Sequence, residues 1–178
     1  MKAVNNRILV KVNMEQKNSM LVGGIMLSTA IKFETNYREK SPVLAEVVEG
    51  NLRMPSGTVI CCHHNHFYSP SPYQLEDNLF SIPFNKTIFA TVNKNGVLSA
   101  ICGNVLGERV KKISMGFVEH PEFYVDRLLV KDKGWTSYKE NSTIICRPNA
   151  PYDIVYNWNG VERRVTKVSD DMICGYLK

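Results

Sequence analysis

The strongest constraint on what this chain can fold into is the rhythm of its apolar residues. They come in short runs rich in Val and Ile, and the runs are separated by Gly, Pro, Asn and Ser at intervals of about ten residues. That spacing is too short and too strongly alternating for long amphipathic helices, and it predicts β-structure almost throughout. The expected strands are Arg7 to Val12, Val43 to Val48, Thr58 to Cys62, Asn78 to Ile82 and Lys86 to Val92 in the first half. In the second they are Val97 to Cys102, Asn104 to Val110, Phe123 to Lys131, Thr143 to Cys146, Asp153 to Trp158 and Val161 to Val168. Asn159-Gly160, between the last two, suits a two-residue hairpin because both residue types tolerate positive φ. With 178 residues, 44% of them hydrophobic, the chain has enough apolar surface to offset ordering entropy, and its length allows one large or two small domains.

The sequence also resembles itself. Thr58-Val59-Ile60-Cys61 recurs as Thr143-Ile144-Ile145-Cys146 at an offset of 85 residues, and Ile88 falls on Ile173 at the same offset. Arg7 to Val12 resembles Asn104 to Val110, but Ile8 falls on Val105 at an offset of 97. The first half therefore carries a dozen extra residues after its first strand. The expected organisation is two tandem β domains, 1–93 and 94–178, joined at Asn93-Lys94-Asn95-Gly96, a stretch with turn chemistry and no core residues.

Charge and motifs narrow the chemistry. The formal net charge is +5, with Lys111-Lys112 and Arg163-Arg164 the only basic doublets singled out, so a nucleic-acid stripe would have to be assembled by folding. No apolar run reaches the length of a membrane-spanning helix, and Asn5, Asn6 and Lys11 interrupt the first apolar stretch. The expectation is a soluble, cytoplasmic protein. Five cysteines, an odd number set in or beside apolar runs, read as reduced, buried thiols. Cys61-Cys62-His63-His64-Asn65-His66 has zinc-ligand chemistry, but alternate residues of a strand face opposite ways and no second ligand pair follows. We therefore expect no metal there, and a strand end running into an exposed tip loop from Asn65 to Tyr73. A Gly-x-Ser-x-Gly nucleophile motif, a phosphate-cradling glycine pattern and a recognisable carboxylate pair are all missing, so neither enzyme activity nor a cofactor is expected.

The extra residues lie in a segment from 14 to 42 whose composition changes abruptly. A polar stretch from Met14 to Ser19 leads into an apolar island, Met20 to Leu27, that contains Gly23-Gly24, and Ser28 to Ser41 is polar again. Connections longer than about 12–15 residues without regular structure are usually functional or disordered. The apolar triplet Ile25-Met26-Leu27 after two glycines is loosely tethered to any core. It reads as a mobile segment that buries its triplet in a partner's groove, with an additional strand of the sheet as the plainer alternative.

At this point the arrangement resembles the GroES-like, or chaperonin-10, co-chaperonin family. The matching residues are Arg7 to Lys11, Gly23-Gly24-Ile25-Met26-Leu27, Leu44 to Gly50, Ser56 to Ile60 and Thr87 to Val92, which together cover residues 6–93. The second half matches through Asn141 to Cys146, Tyr152 to Val168 and Ser169 to Leu177. Thr58 stands where the family has Asp, and the second half has no Gly-Gly-Ile loop, only Lys111 to Tyr124 in that slot. The resemblance implies two tandem, partly open GroES-like β-barrels, the first with the mobile loop and the second divergent. It further implies a homo-oligomeric ring that caps a chaperonin cage, with Gly23, Gly24, Ile25, Met26 and Leu27 contacting the chaperonin's apical domains while client protein is enclosed. The alternatives are a viral or cellular structural or assembly protein that keeps the fold for ring formation without chaperonin binding, and a zinc-binding module.

Overall fold

The computed structural model describes residues 6–12, 19–22, 25–28, 42–67, 71–110 and 126–177. They are all-β: fifteen strands in three antiparallel sheets, with no α-helix among the described residues. The first sheet contains β1 (Arg7–Val12), β4 (Val43–Glu49), β5 (Val59–Cys62), β6 (Gln74–Glu76), β7 (Leu79–Pro83), β8 (Ile88–Val92) and β9 (Leu98–Ala100). The second contains β10 (Asn104–Arg109), β11 (Asp126–Asp132), β12 (Thr143–Cys146), β13 (Tyr152–Trp158), β14 (Val161–Ser169) and β15 (Ile173–Leu177). The third is a hairpin of β2 (Ser19–Val22) and β3 (Ile25–Ser28).

The two large sheets share one connectivity. Their spatial orders are β6-β7-β1-β4-β5-β8-β9 and β13-β14-β10-β11-β12-β15. With strands counted in chain order within each sheet, both read fourth, fifth, first, second, third, sixth, and the first sheet then adds β9. The irregularities repeat as well. In the first sheet Cys61 pairs with Ala90 and Cys62 with Ile88, so Phe89 is an extra residue; in the second, Ile145 pairs with Gly175 and Cys146 with Ile173, so Cys174 is extra. The turns before β5 and β12 match too. Thr58 donates its N–H (3.3 Å) and hydroxyl (2.7 Å) to the Pro55 carbonyl, and Ser142 donates the same two groups to Lys139 at 3.2 and 2.6 Å.

This register corrects one sequence expectation. Cys62, not Cys61, corresponds to Cys146, so the offset at this strand is 84 rather than 85. A slip of one residue exchanges the two faces of a strand, and letter similarity between Thr-x-Ile-Cys runs cannot detect it. The offsets at Ile8 and Val105 and at Ile88 and Ile173 agree with the register. The turn at Asn93–Gly96 joins β8 to β9 inside the first sheet, where Asn93 donates its N–H to Val97 and Gly96 donates to Asn93. The chain passes between sheets through Cys102 and Gly103, both at positive φ (54° and 74°), where Asn104 donates its N–H back to Ile101 at 3.0 Å.

Alternation along the strands builds three apolar clusters. One face of the first sheet gives Ile8, Val10, Val12, Ala45, Val47, Ile60, Cys62, Phe80, Ile82 and Ile88, closed by Met54, Phe67 and Ile101. The opposite face of β4, β5 and β8 gives Leu44, Cys61, Phe89, Ala90 and Val92, which pack with Leu98 and Ala100 of β9 and with Leu106, Ile154 and Tyr156 of the second sheet. The bulge at Phe89 puts two neighbouring residues of β8 into this junction. Val105, Leu128, Val130, Ile144, Cys146 and Val168 form the second sheet's own cluster.

Candidate functional site

The segment singled out by sequence falls between β1 and β4. Part of it is regular: β2 and β3 pair antiparallel, with Val22 opposite Ile25, Leu21 opposite Met26, Met20 opposite Leu27 and Ser19 opposite Ser28. The apolar triplet therefore lies on a strand, whereas the sequence reading expected no regular structure. Two short apolar runs, Met20 to Val22 and Ile25 to Leu27, separated in sequence by two glycines, are of a length and spacing that suits hairpin strands. Among the described residues this hairpin pairs only with itself and does not extend either large sheet. Gly23 and Gly24 lie outside the described residues, as do 13–18 and 29–41. The corresponding slot of the second sheet, between β10 and β11, also lies outside them at 111–125.

The Cys–His stretch is placed differently from its sequence reading. His64 and His66 are buried in a single 3-10 turn, with Phe67 buried beside them, so the first part of the expected exposed tip loop is core. Phe67 meets Phe80 edge-on at 5.0 Å and His66 meets Tyr73 at 5.0 Å, which is the packing that draws this stretch inward. His66 Nε2 is 2.7 Å from Thr87 Oγ1. Burial, with His63 and Arg7 as further positive neighbours, pushes its pKa down to about 4. Cys62 belongs to the first sheet's cluster and Cys61 to the junction cluster, so the two thiols diverge. Among the described residues no three His, Cys, Asp or Glu side chains come together as a metal site.

Cys61, Cys62, Cys102 and Cys146 are poor nucleophiles. Burial pushes Cys61 and Cys146 up to about 12 and Cys102 to about 11, and Cys62 is also raised, first by burial and then by Cys61. Against the expectation of buried thiols, Cys174, the bulge residue of β15, is exposed and Cys102 is half-buried.

Two arrangements between the large sheets were not legible in the sequence. In the first, the half-buried Lys167 of β14 holds its ammonium 4.4 Å from the Phe89 ring and 5.8 Å from Tyr152, with His63 edge-on to Phe89 at 5.9 Å. Burial pushes Lys167 down to about 8. The second is an open cleft of about 780 Å³ between the Asn51–Met54 turn and Phe84–Lys86 of the first sheet and Trp135 and Asp170 of the second. A Trp set in the polar run Lys131 to Ser137 is the sequence signal that could have pointed to it, and the reading of the sequence did not use it. Around both, Lys86 bridges Asp170 (3.0 Å) and Asp171 (3.1 Å), and Tyr156 donates its hydroxyl to the Gly96 carbonyl at 2.8 Å.

No helix among the described residues is long and apolar enough to cross a membrane. No protein-family model, curated protein or solved structure matches this chain.

Proposed function

We propose that this chain is a co-chaperonin of the GroES-like kind, a ring-forming lid that docks on the apical domains of a chaperonin through Ile25, Met26 and Leu27. On this reading the two large sheets are tandem copies of one partly open barrel, and the second copy lacks the docking loop. The observation that carries the proposal is the position of Ile25, Met26 and Leu27: they lie in chain order between the first two strands of the first sheet, on β3, which among the described residues pairs with β2 and joins neither large sheet. The common strand order and the repeated bulges support the tandem reading.

The energetics suit reversible capping. Burying three side chains of this size yields about 5–9 kcal/mol gross, and ordering a segment takes back about 2–5 kcal/mol. One triplet thus binds weakly, and several on one ring gain avidity from effective concentration. The partner's nucleotide-driven change of shape can then release the lid.

The test is capture of the full chain by a purified chaperonin with nucleotide, together with native mass spectrometry for the ring. Wild type is expected to be retained, and the double variant Ile25→Asp, Leu27→Asp to be lost from the complex while remaining folded. Undiminished capture of the double variant refutes the docking mechanism. Failure of wild type to bind any chaperonin tested, with a ring still present, favours a structural assembly protein instead.

A further inference from the structure

The cleft between the two large sheets presents hydrogen-bond donors and apolar surface. Asn51 Oδ1 is occupied within its own turn, accepting from the N–H groups of Arg53 (2.9 Å) and Met54 (3.1 Å). Asn85 Oδ1 is likewise occupied by the N–H (2.9 Å) and hydroxyl of Thr87. Both residues line the cleft, and with their oxygens occupied the NH2 groups are the ends of these amides that a ligand could use. Asp170, the acidic residue of the lining, shares Lys86 with Asp171, at 3.0 and 3.1 Å. The Arg53 guanidinium lies over the Trp135 ring at 5.5 Å and has no carboxylate within ion-pair distance among the described residues. Phe84 stands 6.1 Å from Trp135 and extends the aromatic floor.

The lip is as telling as the floor. Leu52, at the tip of the Asn51–Met54 turn, is fully exposed (106%), and Trp135 is 48% exposed. An isolated exposed leucine needs no explanation, but a Leu, a Trp and a free Arg around one cleft have the make-up of an interface centre. Nucleic acid could stack on Trp135 and pair with Arg53, yet would leave Leu52 uncovered.

We propose that this cleft is a docking site for an acidic protein segment that carries apolar side chains. A carboxylate pairs with the Arg53 guanidinium and accepts from the Asn51 and Asn85 amides, and the segment's apolar side chains cover Trp135 and Leu52. The site does not involve residues 14–42, so it stands or falls independently of chaperonin docking.

The experiment titrates the full chain with a short synthetic peptide of Asp and Glu bearing a central Phe and Leu, with its Lys-for-acid counterpart, and with oligothymidylate, following tryptophan emission and heat at low ionic strength. The acidic peptide is expected to bind saturably and the basic one not to. Arg53→Glu should weaken binding about tenfold or more, while Lys94→Glu, which makes the same charge change at an exposed hairpin turn away from the cleft, should shift it by less than about twofold. Leu52→Ser tests the apolar lip and should also weaken binding. All three positions are exposed, so the variants should melt as wild type does. Absence of saturable acidic-peptide binding, equal losses in the Arg53 and Lys94 variants, or tighter binding of oligothymidylate would each overturn the proposal.

Discussion

Asn104 offers the sharpest test of how the two sheets are joined. It is fully buried at the start of β10, just after the turn that leaves the first sheet. Its amide nitrogen lies 3.1 Å from the Lys86 carbonyl, 3.1 Å from Ile88 and 3.0 Å from Ile101, all first-sheet or passage residues. Its Oδ1 accepts from the Ser169 hydroxyl of β14 at 3.3 Å. Two N–H groups thus serve three carbonyls. Asn104→Leu keeps the volume and removes both donors; the Ile101 oxygen retains the backbone N–H of residue 104, which leaves the other two carbonyls short of a partner. At about 1–2 kcal/mol for each such buried group, less what the extra apolar burial returns, the cost is about 2–3 kcal/mol. For a chain of this size that lowers Tm by about 5–10 °C. Urea unfolding followed through tryptophan emission is a suitable measure, because Trp158 packs against the junction cluster. Asn104→Asp is the discriminating variant. It has nearly the same shape but sets an acceptor where a donor is required, so it should cost at least as much as Leu near neutral pH. If Asp is tolerated within about 0.5 kcal/mol, donation to the first sheet is not what holds Asn104 in place, and this account of the joint fails.

Two further outcomes follow from the site geometry. His66, whose pKa is held down at about 4 against an ordinary value of 6.5, is neutral in the native state and takes up a proton more readily when unfolded. Its contribution is therefore complete above about pH 6.5 and is lost as pH falls toward 4, about 2 kcal/mol by pH 4.5. His66→Gln should flatten that part of the stability profile measured by urea midpoints, and an unchanged difference between pH 7 and 4.5 would remove His66 as the cause. Gly107, where β10 bulges against β11, has no room for a methyl group: a Cβ there would lie 2.2 Å from the Leu129 carbonyl and 2.9 Å from Leu128 Cγ. Gly107→Ala should cost about 2–3 kcal/mol in the same assay, whereas Gly175→Ala in β15, with open space around it, should cost far less.

Strand existence was legible wherever β-branched runs meet turn residues. The Asn159-Gly160 hairpin has positive φ at both positions (51° and 79°) and pairs Trp158 with Val161, as its sequence implies. Four strands escaped the same reading for identifiable reasons. β3, Ile25–Ser28, was read as part of a mobile segment. β6 is the polar Gln74-Leu75-Glu76, β2 is only four residues in a segment read as irregular, and β15 has its alternation broken by the bulge at Cys174 and by Gly175. Face assignment was beyond the sequence for the same reason that the repeat slipped by one: similarity between two strands carries no information on which side of each is buried. Of the candidate docking segment, the glycine pair and the apolar triplet were visible as a local pattern, and the hairpin pairing was not. The cleft and the Lys167 cluster depend on residues about 80 positions apart, Arg53 with Trp135 and Phe89 with Lys167, and no periodicity reports such meetings.

The joint between the sheets bears on how the second half is to be read. β5 and β8, with the start of β4, are apolar on both faces, one carrying Ala45, Ile60 and Ile88 and the other Leu44, Cys61 and Phe89. A sheet apolar on both sides has to be covered on both. The cover for the second face comes from β9 and from Leu106, Ile154 and Tyr156 of β10 and β13, so the second sheet completes the core of the first as well as enclosing its own. Polar groups reinforce this: Ala100 donates its N–H to the Asp132 carboxylate at 2.8 Å, and Tyr156 and Asn104 bond backbone of the first sheet. Two modules that only shared a linker would keep their outward faces polar and the connection exposed. Here the passage at Ile101 is buried, and Cys62 and Cys146, at equivalent places in the two sheets, each point into their own sheet's cluster while the junction takes Cys61. The second sheet is therefore a structural part of the first, and removal of either exposes the apolar face that the other covers.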